Sequence, residues 1–74
     1  METYIDVFLN VEGQKASTIF NILSDMGLKY HFGKHDFVYD WKRIVTIQDE
    51  LAFIDRIQEK LKGTKVILKF TTIR

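Results

Sequence analysis

Along this chain the spacing of apolar side chains switches between two and about 3.6 residues, and the order of those switches limits the fold. Over residues 4–11 the period is two. Ile5, Val7, Leu9 and Val11 point one way, and Tyr4, Asp6, Phe8 and Asn10 the other. This predicts a strand with one buried face, ended by Glu12-Gly13. The period then lengthens: Ala16, Ile19, Phe20, Leu23 and Met26 form one helical stripe. A helix is expected over about 14–26, with Gly27 as its left-handed C-terminal cap.

Residues 28–44 are rich in aromatics and carry no helical stripe. Gly33-Lys34 reads as a two-residue type II′ hairpin turn, which requires glycine at its first central position. That turn sets Phe32 opposite His35, His31 opposite Asp36 and Tyr30 opposite Phe37. One face of the hairpin then holds Leu28, Tyr30, Phe32, His35, Phe37, Tyr39 and Trp41, and the other Lys29, His31, Asp36, Val38 and Asp40. The aromatic face is expected under the helices, because the other would bury two carboxylates. Thr46 opens a second helix with a capping-box variant completed by Asp49. Its apolar stripe is Ile47, Leu51, Ile54, Ile57 and Leu61, and Gly63 ends it. A last strand over 65–73 sets Val66, Leu68 and Phe70 against Ile67, Lys69 and Thr71.

The order β-α-β-β-α-β predicts an α+β, ferredoxin-like domain over residues 1–74. A four-stranded antiparallel sheet carries two helices on one face, as in the dimeric α/β barrels. The second sheet face stays open, with Phe8, Val38 and Ile67 on it. A chain of 74 residues buries only about 60% of its unfolded surface, and small scaffolds commonly add disulfides, a metal or a partner. There is no cysteine, so disulfides and thiolate metal sites are excluded. A homo-oligomer, dimer or multiple of dimers, is therefore expected from a chain that is 46% hydrophobic.

Eleven Lys and Arg against ten Asp and Glu leave a net charge of +1, which gives no support to phosphate binding. The opening Met1-Glu2-Thr3-Tyr4 has no basic start or apolar run, so no signal peptide is expected. No apolar stretch approaches the roughly 20 residues of a membrane helix, and the expected compartment is the cytoplasm.

His31, His35 and Asp36 surround the hairpin turn, and two histidines with a carboxylate suit metal or general-base chemistry. The register above nevertheless places His31 and His35 on opposite faces, so the plain expectation is a His31–Asp36 contact and a partly covered His35. Asp6, Asp36 and Asp40 are expected on the open face as solvated partners of Lys29 and Lys69. No nucleophile elbow, phosphate loop or metalloprotease signature occurs. No catalytic residue, metal ligand or cofactor is expected. Val7-Phe8-Leu9 and Lys34-His35-Asp36-Phe37-Val38-Tyr39 loosely resemble the two RNA-contacting signatures of an RRM. Here, however, Phe37, Tyr39 and Trp41 fall on the core face rather than beside Phe8.

Nearly the whole chain resembles the C-terminal ligand-binding (RAM) domain of the leucine-responsive Lrp/AsnC transcriptional regulators. The resemblance is carried by Ile5-Asp6-Val7-Phe8-Leu9-Asn10-Val11-Glu12 before Gly13 and by Phe32-Gly33-Lys34-His35-Asp36-Phe37-Val38. Asp49-Glu50-Leu51-Ala52-Phe53-Ile54 with Leu61 and Gly63, and Thr71-Thr72-Ile73, add to it. It implies sheet-paired dimers that assemble further, and a small amino-acid effector bound near Gly33, His35 and Asp36. A carboxylate and backbone N–H groups there suit an ammonium and a carboxyl group. The helix-turn-helix of full-length regulators is absent from these residues. The resemblance thus implies a stand-alone sensing and oligomerisation module, modulating transcription through a full-length regulator without binding DNA directly. The alternative is a small cofactor-free dimeric α/β-barrel monooxygenase or isomerase, which needs a cavity between sheet and helices faced by His31, His35 or Asp40.

Overall fold

The computed structural model describes residues 1–73. The elements are β1 (Glu2–Phe8), α1 (Ala16–Asp25), β2 (Lys29–Tyr30), β3 (Phe37–Asp40), α2 (Ile47–Lys60) and β4 (Ile67–Ile73). The strands form one antiparallel sheet in the order β2-β3-β1-β4, an arrangement compatible with the ferredoxin-like fold. Among the described residues no helix is long and apolar enough to cross a membrane.

Alternation along β1 buries Thr3 and Ile5 and leaves Tyr4, Asp6 and Phe8 on the open face. Ile5 and Phe37 meet Ile19 and Leu23 of α1 and Phe53 and Ile57 of α2 in one cluster with Leu28 and Leu61. Burying each large apolar side chain contributes about 1.5–3 kcal/mol relative to leaving it exposed. The strand is shorter than the alternation predicts: its ladder with β4 ends at Phe8 opposite Ile67, and Val11 is fully exposed. Asn10 turns the chain there, its Oδ1 accepting from Glu12 N at 2.9 Å and its carbonyl from Gly13 N at 2.9 Å.

Thr3 is a buried polar residue with its hydrogen bonds made. Its Oγ1 accepts from Trp41 Nε1 at 2.9 Å and lies 2.9 Å from Thr72 Oγ1. This threonine ties β1 to β4 and to the end of β3, an economy that alternation alone does not reveal.

The capping box of α2 forms as the sequence predicts. Thr46 Oγ1 accepts from Asp49 N, and Asp49 Oδ2 accepts from Thr46 N, both at 3.2 Å. Thr46→Ala should cost about 1 kcal/mol, since a lost N-cap leaves a helix-end donor unpaired. Urea unfolding of the variant measures this, and an unchanged midpoint would remove the cap from the account of α2.

The buried stripe of α2 differs from the predicted one. Phe53, Ile57 and Leu61 are buried, whereas Ile47 and Leu51 stay more than half exposed. Phe53 stacks on Tyr39 at 4.4 Å between ring centroids and meets Trp41 edge-on at 5.2 Å. The aromatic residues of β3 draw this ring inward, so the helix is rotated toward Phe53.

Candidate functional site

The hairpin keeps its predicted register but not its predicted turn. Lys29 pairs with Val38 and Tyr30 with Phe37, and His31 N donates to the Asp36 carbonyl at 3.0 Å. Beyond that point the ladder stops. Asp36 N donates to the Ile5 carbonyl at 3.1 Å, although Ile5 is the register partner of Phe37. Two successive residues thus face one partner, which is the local irregularity of a bulge and breaks strict alternation.

This break corrects three expectations. Phe32 does not join the core; it is 97% exposed. His35 leaves the core face for the open face, where its Nδ1 lies 3.0 and 3.1 Å from the two carboxylate oxygens of Asp6. His31 keeps the open face expected of it, so the two histidines share that face instead of opposing each other. The Tyr4 ring lies against both imidazoles, with centroids 5.2 Å from His31 and 4.9 Å from His35, and the two histidines are 6.4 Å apart. The physical reason is packing: Phe20, Tyr30 and Phe37 already occupy the core side with mutual ring contacts at 5.0–6.2 Å. An imidazole there would lack the partner that Asp6 provides outside.

The resulting cluster is Tyr4, Asp6, His31 and His35. An ionised carboxylate only accepts, so His35 carries its proton on Nδ1 when neutral and presents Nε2 as an acceptor. The pair is partly covered, with about one fifth of each side chain exposed. Tyr4 Oη donates to Glu2 Oε1 at 2.8 Å. That hydrogen bond, reinforced by the charge of Glu2, holds the phenol above its ordinary titration range.

The three hairpin residues implied by the resemblance have separate tasks. Gly33 adopts φ +147°, and a Cβ there would lie 3.7 Å from His31 Nε2. His35 is tied to Asp6. Asp36 Oδ2 accepts from Val7 N at 2.8 Å, so its carboxylate takes the place of a main-chain carbonyl beyond the end of β3. Asp6, Asp36 and Asp40 are engaged separately rather than as partners of Lys29 and Lys69: Asp6 holds His35, Asp36 holds Val7 N and Asp40 Oδ1 accepts from Lys42 N at 2.8 Å. No three His, Asp or Glu side chains among the described residues are grouped to hold a metal ion.

Sequence reasoning missed Tyr4 and Asp6 as partners of the histidines. The signal was present, since both lie on the outward set of β1 and the fold places β1 beside β3. The centre of the space between sheet and helices is filled by residues at most 6% exposed, and a cleft of about 220 Å³ lined by Gln58, Leu61, Val66, Leu68 and Phe70 remains between α2 and β4. His31 and His35 lie on the opposite face of the sheet from that space, with Tyr4 and Asp6. No family model, curated protein or solved structure matches the chain.

Proposed function

We propose that this domain is a self-associating sensing module in which two copies pair through their open sheet faces in the dimeric α/β-barrel manner. One observation carries the reading: Phe8 and Ile67 are cross-strand partners on the open face, 54% and 68% exposed, while the other face is sealed by the protein's own helices. This apolar pair, with Tyr4 and Val38 farther along the same face beyond Asp6 and Lys69, loses its water when a like face covers it. The Lrp/AsnC-like resemblance supplies the rest of the proposal. A small amino-acid effector shifts the assembly, Gly33, His35 and Asp36 mark the effector end of the hairpin, and the output passes to a full-length transcriptional regulator in the cytoplasm.

Light-scattering mass in solution tests the pairing. The expected result is a dimer or a multiple of dimers, with Phe8→Glu and Ile67→Glu each shifting the mass to that of one chain. A wild-type protein that stays monomeric over a wide concentration range would sink the pairing. A mass that never responds to a mixture of amino acids would sink the effector role while leaving the pairing intact.

A further inference from the structure

At the end of the sheet away from the hairpin turn, a cleft of about 470 Å³ is lined by Glu2, Lys29, Asp40 and Lys42, with Tyr39 and Trp41 among its other walls. Its origin is a gap in the ladder. The β2 strand begins only at Lys29, opposite Val38. In the same register Gly27 would face Asp40, but Gly27 adopts φ +95° and leads back into α1. Trp41 N donates to the Met1 carbonyl, toward β1. Main-chain groups alternate sides along a strand, so those of Asp40 are directed to the vacated β2 side.

The charges around this gap are arranged in an unusual way. Glu2 and Asp40 are direct cross-strand partners, and like charges in that relation are destabilising. Lys29 and Lys42 line the same cleft, yet neither is within ion-pair distance of Glu2 or Asp40. The ion pairs formed among the described residues are His35–Asp6 and Arg43–Asp49. Two carboxylates therefore lie in one cleft with two ammonium groups that do not neutralise them directly.

We infer that this cleft binds a small zwitterion of the amino-acid class. The ligand's ammonium lies between Glu2 and Asp40, and its carboxylate is met by Lys29 and Lys42. A lone anion would meet the two acids, and a lone cation the two lysines. A molecule carrying both signs satisfies both walls with charge-assisted hydrogen bonds. The bare edge at Asp40 adds main-chain donors and acceptors, and Trp41 and Tyr39 leave an aromatic wall for the ligand's side chain. The site is distinct from Gly33, His35 and Asp36. The inference goes beyond the effector reading, whose ligand lies at the hairpin, and rests on it only for the claim that such binding regulates assembly.

Amide chemical-shift titration of the full chain tests the inference, with glycine and L-leucine as ligands and acetate and methylamine as single-charge controls. Saturable shifts are expected at Lys29, Asp40, Trp41 and Lys42, with affinity at least tenfold weaker for either control. Asp40→Asn and Lys29→Met should each weaken amino-acid binding about tenfold or more, a loss of about 1.4 kcal/mol. Asn keeps an oxygen for Lys42 N, so the loop is retained and a lost affinity is not a lost fold. Saturable shifts confined to His31, Gly33 and His35 would overturn the cleft and leave the effector reading standing. No saturable shift with either amino acid would overturn both, and the light-scattering mass would then judge the pairing alone. Equal affinity for acetate or methylamine would overturn the zwitterion assignment.

Discussion

Phe53→Ala is expected to remove about 3–5 kcal/mol of unfolding free energy, the usual cost of deleting a buried phenyl ring. Natural domains retain only about 5–15 kcal/mol in total, so much of this variant should be unfolded in plain buffer. The ring is 2% exposed and stacks on Tyr39, with Trp41 at its edge and the Arg56 guanidinium 5.6 Å from its centroid. Its removal empties the joint between α2 and β3 and takes away the Tyr39 and Trp41 ring contacts together. Urea unfolding followed by Trp41 fluorescence reads the effect directly. Leu51→Ala on the same helix is the control, and its exposed position predicts a change within about 0.5 kcal/mol. If the two variants exchanged magnitudes, α2 would be packed on the stripe Ile47, Leu51 and Ile54 instead.

Gly13→Ala should lower stability by about 1–3 kcal/mol, through crowding rather than through backbone conformation. A Cβ at Gly13 would lie 2.3 Å from the Thr64 carbonyl oxygen and 3.2 Å from Lys65 Cβ. Neither side yields easily. The same Thr64 carbonyl accepts from Gln14 N at 3.2 Å, so drawing the chains apart to admit a methyl group breaks that bond. Thr64 is itself buried, its Oγ1 donating to the Leu61 carbonyl at 2.6 Å. A loss of this size corresponds to a fall in Tm of about 4–8 °C per kcal/mol in a domain of this length. A melting curve superimposable on wild type would mean that the loop before α1 and the loop after α2 are not in contact in solution.

These two residues mark where the chain's pattern is legible and where it is not. The period-two run through Tyr4, Ile5, Asp6, Val7 and Phe8 gives β1 its correct faces, because alternation is a property of the backbone itself. The Thr46–Asp49 cap is equally local and forms as read. The Tyr30–Phe37 register survives although the turn beyond it differs. What pattern alone misses is decided by distant neighbours. Ile47 and Leu51 are as apolar as Phe53, and only the aromatic residues of β3 choose between the two stripes. The bulge at Asp36 likewise depends on Ile5 and Val7, about 30 residues away in sequence. Because a bulge inverts parity, it moved His35 across the sheet and assembled a cluster with Asp6 and Tyr4 that strict alternation forbids. Gly13 reads in sequence as a strand terminator, and its true constraint appears only when the Thr64 backbone lies against it.

The β4 strand pairs with β1 along one side, and its other side is the long free edge of the sheet. Seven extended residues with unsatisfied main-chain groups are a template for unlimited addition of further chains. The segment Ile-Leu-Lys-Phe-Thr-Thr-Ile has the β-propensity and lack of proline that favour cross-β stacking. Lys69 is its one charge, near the middle. In an in-register fibril that ammonium would recur at every rung, about 4.8 Å from the next, and the ladder of like charges would oppose growth. A single lysine thus serves as a gatekeeper, leaving the edge free for native contacts while disfavouring amyloid.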